Sequence, residues 1–174
     1  LVETIIKLLR GSGDGLRTVF RKTESLFKAH RVPYEKEYEQ LSQNIIGTFP
    51  EREATEATVE EIESFFRKDG ALSAGLSGYE ERTPQTDMAK TVYNTLNQDE
   101  YLVAEAGTGV GKSLAYLLPA LRWCSVDSTR RVILSTYTKT LQDQLFSSEL
   151  PLLQKILDHP FQAVLLKGRR NYLC

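Results

Sequence analysis

One short segment constrains this chain of 174 residues more than any other. Residues 106–113 alternate glycine with small side chains and end in a lysine and a hydroxyl group. In order they are Ala106, Gly107, Thr108, Gly109, Val110, Gly111, Lys112 and Ser113. The segment fits the Walker A pattern with alanine in place of the first glycine. An apolar run at 101–104 precedes it and an amphipathic stretch at 111–122 follows it, which is the strand, turn and helix setting that the pattern requires.

We call residues 106–113 the glycine loop, and its residue types suit a phosphate group. Backbone N–H groups around Gly107, Gly109 and Gly111 can turn inward on an anion, because glycine adopts the necessary backbone angles at low cost. Lys112 supplies a cation for the β- and γ-phosphates, and the Ser113 hydroxyl can coordinate Mg. The helix that begins here directs the positive end of its dipole at the phosphates. The whole glycine loop is therefore predicted to bind a nucleotide, with Lys112 and Ser113 nearest the chemistry.

The part of the chain around the glycine loop alternates helical and β-rich patterns. Thr83 and Pro84 predict a helix start, and the helix buries a face made of Met88, Ala89, Val92 and Leu96. Strands are predicted at 101–104, 131–135 and 161–166, with helices at 111–122 and from Thr138 onward. Such alternation predicts an α/β fold with a parallel sheet.

The sequence of the first third of the chain predicts helices separated by loops. Apolar residues recur at helical spacing over 1–9, 16–30 and 33–47, and the third stripe consists of Tyr34, Tyr38, Leu41 and Ile45. The acidic stretch 51–56 is the best linker candidate. Thr58 and Glu61 form a capping-box signature for a short helix that Asp69 and Gly70 close. We therefore predict a helical segment or connector at 1–57 and the main domain at 58–174.

Composition excludes several classes of protein. The chain has 22 basic and 23 acidic residues, a formal net charge of −1, so any nucleic-acid contact must come from local sites. No apolar run approaches the roughly 18–20 residues that span a bilayer, so no membrane partner is expected. The two cysteines, Cys124 and Cys174, cannot build a disulfide framework, which favours a reducing cytoplasm. Cys124 follows an apolar helix and is predicted to be a small buried thiol.

Polar side chains before and after the glycine loop narrow the class of nucleotide-binding protein that the sequence predicts. Gln85 begins the helix that leads to the loop, and its amide offers the donor and acceptor pair that suits the edge of adenine. Downstream, Ser135, Thr136 and Thr138 end the next predicted strand. Hydroxyls at such a strand-to-helix turn can position phosphates without reading bases.

Together these motifs resemble those of DinG/XPD-type superfamily 2 DNA helicases. The resemblance covers roughly residues 58–174 and is carried, in order, by 79–85, 104–116, 135–138 with 141–145, and 166–174. It implies the first part of a RecA-like P-loop motor domain in a monomeric ATP-driven motor that moves 5′-to-3′ on single-stranded or forked DNA. It assigns Arg82 and Gln85 to ATP and extends the DNA contacts to a polar and basic set: Ser135, Thr136, Tyr137, Thr138, Gln142, Lys167 and Arg169.

Cys174 matches the cysteine that, in many members of this group, is the first of four ligands to a 4Fe-4S cluster. The other ligands would lie beyond residue 174, and some relatives lack them, so the resemblance leaves both a cluster ligand and an ordinary free cysteine open. In some members an exonuclease domain precedes the motor, and residues 1–27 would suit the connector between the two. A helical decoration of the motor is the alternative.

The sequence also departs from the helicase pattern. It contains no Asp-Glu-Ala-His box, whose carboxylates hold Mg and polarise the attacking water. We therefore expect a fragment that binds ATP weakly at most and does not hydrolyse it. Two alternatives stay open: another P-loop protein, such as an AAA-type ATPase or a DNA-packaging motor, and a non-catalytic interaction module with a helicase-like fold.

Overall fold

The computed structural model describes residues 45–47, 54–127 and 129–167. Six α-helices and two short strands lie within these residues: β1 Ile45–Ile46, α1 Val59–Phe65, α2 Ala71–Gly75, α3 Thr83–Gln98, α4 Lys112–Cys124, α5 Lys139–Gln144, α6 Leu150–Ile156 and β2 Ala163–Val164. A π-helical turn, Leu145–Glu149, joins α5 to α6. The helices predicted before residue 45 and the segment 168–174 lie outside the described residues.

The pair of helices on either side of the glycine loop forms the centre of the fold. Helix α3 has a proline in its first turn and is followed by the capping residue Asp99, whose φ of 59° is left-handed. Its buried face includes Ala89, Val92 and Leu96 as predicted, and Met88 lies at the edge of the same core. Helix α4 packs against α3 and is buried along most of its length, from Leu114 to Trp123. Both helices therefore begin beside the glycine loop on a shared apolar core.

Helix α1 starts as its capping signature predicts. The Thr58 side chain accepts a hydrogen bond from the Glu61 backbone N–H over 3.1 Å, which satisfies one of the unpaired donors of the first turn. Ile62 and Phe66 are fully buried and hold α1 against α3. The helix ends at Phe65, a few residues before Gly70, and Gly70 instead precedes α2, a short helix that the sequence did not predict.

The predicted helix from Thr138 onward is present but interrupted. The Thr138 side chain caps α5 by accepting from the Leu141 N–H over 3.2 Å. The π-helical turn that follows coincides with Pro151 in the first turn of α6, because proline has no N–H to donate and its ring crowds the carbonyl four residues earlier. Leu145, Leu150 and Leu153 are buried along this run.

The predicted sheet is where the structure departs most from the sequence analysis. Residues 101–104 and 131–135 carry no strand, and of 161–166 only β2 does. β2 pairs antiparallel with β1, Ile45 opposite Val164 and Ile46 opposite Ala163, so the prediction of a helix through Ile45 is wrong. A parallel sheet is thus not confirmed among the described residues. The physical reason is that a β-rich run becomes a strand only where a neighbouring strand meets its backbone donors and acceptors.

The end of the acidic stretch lies against the helices. The Ala54 backbone N–H donates to the Ser125 carbonyl over 2.8 Å, and the Tyr93 hydroxyl donates to the Ala57 carbonyl over 2.9 Å. Ala54 is buried, whereas Glu56 is exposed and lies 3.7 Å from Arg130. Residues 54–57 therefore follow the surface of the core.

In the described part of the chain, no helix combines the length and apolar character needed to cross a bilayer.

Candidate nucleotide-binding loop and neighbouring polar turn

The glycine loop changes from irregular backbone to helix at Gly111. Gly109 and Gly111 have φ angles of +79° and +78°, in the left-handed region that L side chains rarely adopt. Gly111 is the residue before the first turn of α4, and its carbonyl accepts the Ala115 N–H over 3.3 Å. Gly107, Thr108 and Gly109 are exposed, the other five loop residues are partly buried, and the helix after Ser113 is mostly buried. A loop with an exposed tip is thus joined to a helix of the core.

Lys112 lies across this loop. Its ammonium donates to the Ala106 carbonyl over 3.0 Å and also to the Gly107 carbonyl. The cation predicted from the Walker A pattern is therefore held at the start of the glycine loop by two neutral carbonyl oxygens. No carboxylate partner competes there for Lys112 among the ion pairs of the described residues. An anion can replace the two carbonyls as its partner, since a charged acceptor bonds more strongly than a neutral one.

Gln85 is packed directly against the loop. Its side chain is buried, and its Nε2 donates to the Gly111 carbonyl over 2.9 Å. The contact is close: a Cβ added at Gly111 would lie 2.2 Å from Gln85 Nε2. Glycine is needed at 111 both for its backbone angle and to admit this amide. The sequence placed Gln85 near the nucleotide, but this contact with the loop was not foreseen because nothing in its spacing indicates it.

Arg82, the residue before α3, also reaches the glycine loop. Its guanidinium donates to the Gly109 carbonyl and lies 3.6 Å from the Glu80 carboxylate. Both Arg82 and Glu80 are largely exposed at the side chain. Arg82 and Gln85 thus contact the two loop residues with left-handed backbone, and the start of α3 and the start of α4 form one unit.

Ser113 lies in the first turn of α4, one turn before Tyr116 on the same face. Tyr116 is buried, and burial raises the pKa of its hydroxyl, while a hydrogen bond with the Ser113 side chain opposes that rise. The Ser113 hydroxyl, the predicted Mg ligand, therefore has a phenol as a neighbour. Ala106, Thr108 and Val110 contribute backbone groups to the loop rather than further charge.

A second polar group lies at the turn before α5. Thr136 Oγ1 donates to the Thr138 carbonyl over 3.1 Å, and Thr138 Oγ1 caps the helix. Ser135 is exposed, and the Tyr137 ring is 94% exposed. Two of the hydroxyls predicted to position DNA phosphates are thus already hydrogen bonded within the turn.

Helix α5 also contacts the segment that follows β2. Gln142 Nε2 donates to the Leu166 carbonyl over 2.7 Å, and Lys167 Nζ lies 2.8 Å from the Asp143 carboxylate. The structure thereby brings two predicted DNA-binding residues, Gln142 and Lys167, to one helix. The sequence did not indicate Asp143 as the partner of Lys167. Arg169 and Cys174 lie outside the described residues.

Two further residues of α4, Arg122 and Cys124, lie near the end of that helix. Arg122 is buried and donates to the Glu61 carboxylate through two nitrogens, Nε at 2.8 Å and Nη2 at 3.4 Å, which ties α1 to α4. Sequence reasoning missed this pair because its members are far apart in the chain. Cys124 is a free thiol that lies partly buried against the core rather than fully buried as predicted, and this burial raises its pKa to about 11.

Comparison with known proteins places these features in a family. The family model described as DEAD/DEAH box helicase matches residues 82–170. The ATP-dependent DNA helicase YoaA of Escherichia coli is 47% identical over 109 residues, 63% of this chain and 16% of that protein. The 3'-5' exonuclease DinG of Bacillus subtilis is 38% identical over 115 residues, 66% of this chain and 12% of that protein. The ATP-dependent helicase DinG of Mycobacterium tuberculosis is 43% identical over 108 residues, 60% of this chain and 16% of that protein.

These matches span about a sixth or less of the length of the relatives. No solved structure gives a significant match. The matched family confirms the resemblance to DinG-type helicases and carries with it a RecA-like P-loop fold for this region. The glycine loop, Arg82, Gln85 and the turn before α5 all fall inside residues 82–170. The chain belongs to the DEAD/DEAH box helicase family.

Proposed function

We propose that the whole protein is an ATP-dependent DNA helicase of the DinG type. It couples ATP hydrolysis to 5′-to-3′ movement on single-stranded or forked DNA in repair or replication. The observation that carries the proposal is Lys112 lying across a loop of left-handed glycines at the start of α4, in a chain of the DEAD/DEAH box family. The named functions of YoaA and DinG relatives support it.

The residues at the loop fit ATP and Mg. The loop offers phosphates three kinds of positive group: its backbone amides, the Lys112 ammonium and the start of α4. The Ser113 hydroxyl is an oxygen ligand of the kind that Mg prefers. Bound ATP supplies the phosphoryl group whose hydrolysis drives movement. The chain's own part is to hold the phosphates and, through Gln85 and Arg82, to fix the loop that holds them.

The turn before α5 is the proposed DNA contact. Ser135 and Tyr137 are exposed there, Gln142 lies on the helix that follows, and Lys167, after β2, contacts that helix through Asp143. A few placed polar groups suit a motor that must release and rebind the backbone at every step, since the chain's net charge of −1 gives no general positive field. We include Arg169 in this contact on the resemblance of its motif alone.

The remaining assignments are proposed on the same resemblance. The motor acts as a monomer in the cytoplasm, with residues 58–174 as the first part of its first motor domain and a parallel sheet formed by the β-rich runs. Cys174 is proposed as one thiolate ligand of an iron–sulfur cluster in the whole protein. Residues 1–174 alone are proposed to be inactive, because the sequence lacks the Asp-Glu-Ala-His carboxylates.

The test is ATP hydrolysis by the whole protein with and without single-stranded DNA. We expect DNA to stimulate turnover and Lys112→Ala to reduce it by about a hundredfold or more, as loss of a preorganised charge-stabilising donor does. Lys155→Ala, which removes an exposed lysine of α6, is the matched control and should leave turnover unchanged. Retained turnover in Lys112→Ala would contradict the proposal, and duplexes with 5′ or 3′ single-stranded tails test the direction of movement.

A further inference from the structure

The turn before α5 carries an exposed aromatic ring between its two hydrogen-bonded threonines. Thr136 and Thr138 use their side-chain oxygens within the turn, in bonds of 3.1 and 3.2 Å. Tyr137, between them, has a ring that is 94% exposed. The two threonines fix the backbone on both sides of the tyrosine, so the ring is presented to solvent from a well-defined turn.

We propose that Tyr137 stacks on a base of single-stranded DNA, so that this turn contacts the strand through a base face as well as through its backbone. The inference rests on the proposed function and deepens it by naming a base contact. A phenol ring offers a flat apolar face to any base, and such stacking tolerates every sequence because every base has a π-face. That tolerance suits a motor that moves along DNA of arbitrary sequence.

Two further residues of the proposed DNA contact lie on or against α5, the helix that follows the ring. The Gln142 N–H donates to the Thr138 carbonyl over 3.1 Å, which places Gln142 one helical turn beyond Thr138, the residue after Tyr137. Gln142 in turn holds the Leu166 carbonyl over 2.7 Å, and this brings Lys167 alongside α5. Lys167 is partly exposed and lies 2.8 Å from the Asp143 carboxylate, so this basic group lies against the helix that begins after the tyrosine turn. Single-strand sites combine stacking aromatic rings with basic groups.

Stacking on Tyr137 also predicts a preference between forms of DNA. Bases in a duplex are already stacked on their neighbours, whereas an unpaired base exposes its face to the ring. The contact is therefore specific for single-stranded DNA without being specific for sequence. An exposed aromatic ring could instead contact a protein partner, and the experiment separates these outcomes.

The experiment measures binding of the whole protein to a fluorescein-labelled oligothymidylate by anisotropy. We expect Tyr137→Ala to weaken binding by about tenfold, within the range of one stacked base, and Tyr137→Phe to stay within about twofold of the natural protein. The second probe is the same strand with abasic sites. The natural protein should bind it about tenfold more weakly than oligothymidylate, while Tyr137→Ala should bind both strands alike.

The outcomes distinguish this inference from the proposed function. If the natural protein does not bind oligothymidylate, the proposed function fails and the stacking contact with it. If the natural protein binds but Tyr137→Ala binds equally well, the stacking contact is overturned and the proposed function stands. If Tyr137→Ala loses the same factor on intact and abasic strands, Tyr137 acts only on the backbone or on the fold, and stacking is again overturned. A ring used for a protein partner would leave DNA binding unchanged in all variants.

Discussion

The side-chain amide of Gln85 donates to the carbonyl of Gly111 over 2.9 Å, and a Cβ at Gly111 would lie 2.2 Å from that amide nitrogen. The same carbonyl accepts the Ala115 N–H that opens α4. One backbone oxygen therefore joins the start of α3, the glycine loop and the first turn of α4. The contact makes Gln85 a structural member of the loop whatever it does toward a base.

Gly111→Ala should destabilise the chain through two separable costs. A left-handed alanine costs about 1–2 kcal/mol, and the clash with Gln85 adds to it. Gly109→Ala is the matched control, since its φ of +79° is almost the same and nothing lies within 4 Å of its added Cβ. Urea unfolding followed by circular dichroism measures both. In a Gln85→Ala background, Gly111→Ala should cost no more than Gly109→Ala; an unchanged difference would show that Gln85 is not the obstacle.

Gln85→Ala should also weaken the preference for ATP over GTP that the proposed function gives the whole protein. The physical reason is that the amide offers a donor and an acceptor together, and its nitrogen is engaged with Gly111 while its oxygen remains available. Competition between ATP and GTP in the DNA-stimulated hydrolysis assay measures the preference. Thr91→Ala, at an exposed position on α3, is the control and should leave it unchanged. Equal use of all four nucleotides by the natural protein would count against base reading by Gln85.

The local signals in the sequence predicted local structure well. The Thr58 cap and the proline start of α3 lie where the pattern puts them, because each depends on residues within one turn. Helices α4 and α5 each begin one residue after the predicted starts at Gly111 and Thr138. The Walker A pattern likewise marks the turn that immediately precedes α4, and nucleotide binding by that turn stays a prediction. These features need no information about distant parts of the chain.

Contacts between distant residues could not be predicted in the same way. The run at 101–104 is apolar enough for a strand, yet Tyr101 and Val103 are 95% and 99% exposed, because no neighbouring strand covers them among the described residues. Ile45 pairs with Val164, far along the chain, rather than continuing a helix. Pairing of strands and of Glu61 with Arg122 depends on the whole fold, and residue spacing does not encode it.

Glu61→Ala should destabilise the chain far more than Glu60→Ala. Both carboxylates lie in the first turn of α1, so both substitutions remove the same favourable interaction with the helix dipole. Only Glu61 pairs with the buried guanidinium of Arg122, which is 4% exposed, so its loss leaves a buried charge without its partner. We expect a difference of about 2–4 kcal/mol in urea unfolding.

Arg122→Met refines the same prediction. It removes the buried charge and keeps an apolar stem of similar length, while Glu61, whose side chain is 38% exposed, can be hydrated. The loss should therefore be smaller than for Glu61→Ala. Equal unfolding free energies for Glu60→Ala and Glu61→Ala would rule out a stabilising role for the pair.

Cys124 should react slowly with iodoacetamide in the folded chain. Burial raises the pKa of its thiol to about 11, so at pH 8 only about one molecule in a thousand carries the reactive thiolate. In a Cys174→Ser variant, alkylation followed by mass spectrometry should be about a hundredfold faster in urea than in buffer. Equal alkylation rates in urea and in buffer would refute the burial of the thiol.

The stability of the chain should also depend on pH through this thiol. Because the folded pKa lies above the ordinary value of 9.0, the thiol's contribution to stability is complete below pH 9 and falls as pH rises through 11. Cys124→Ala should lack that fall in stability.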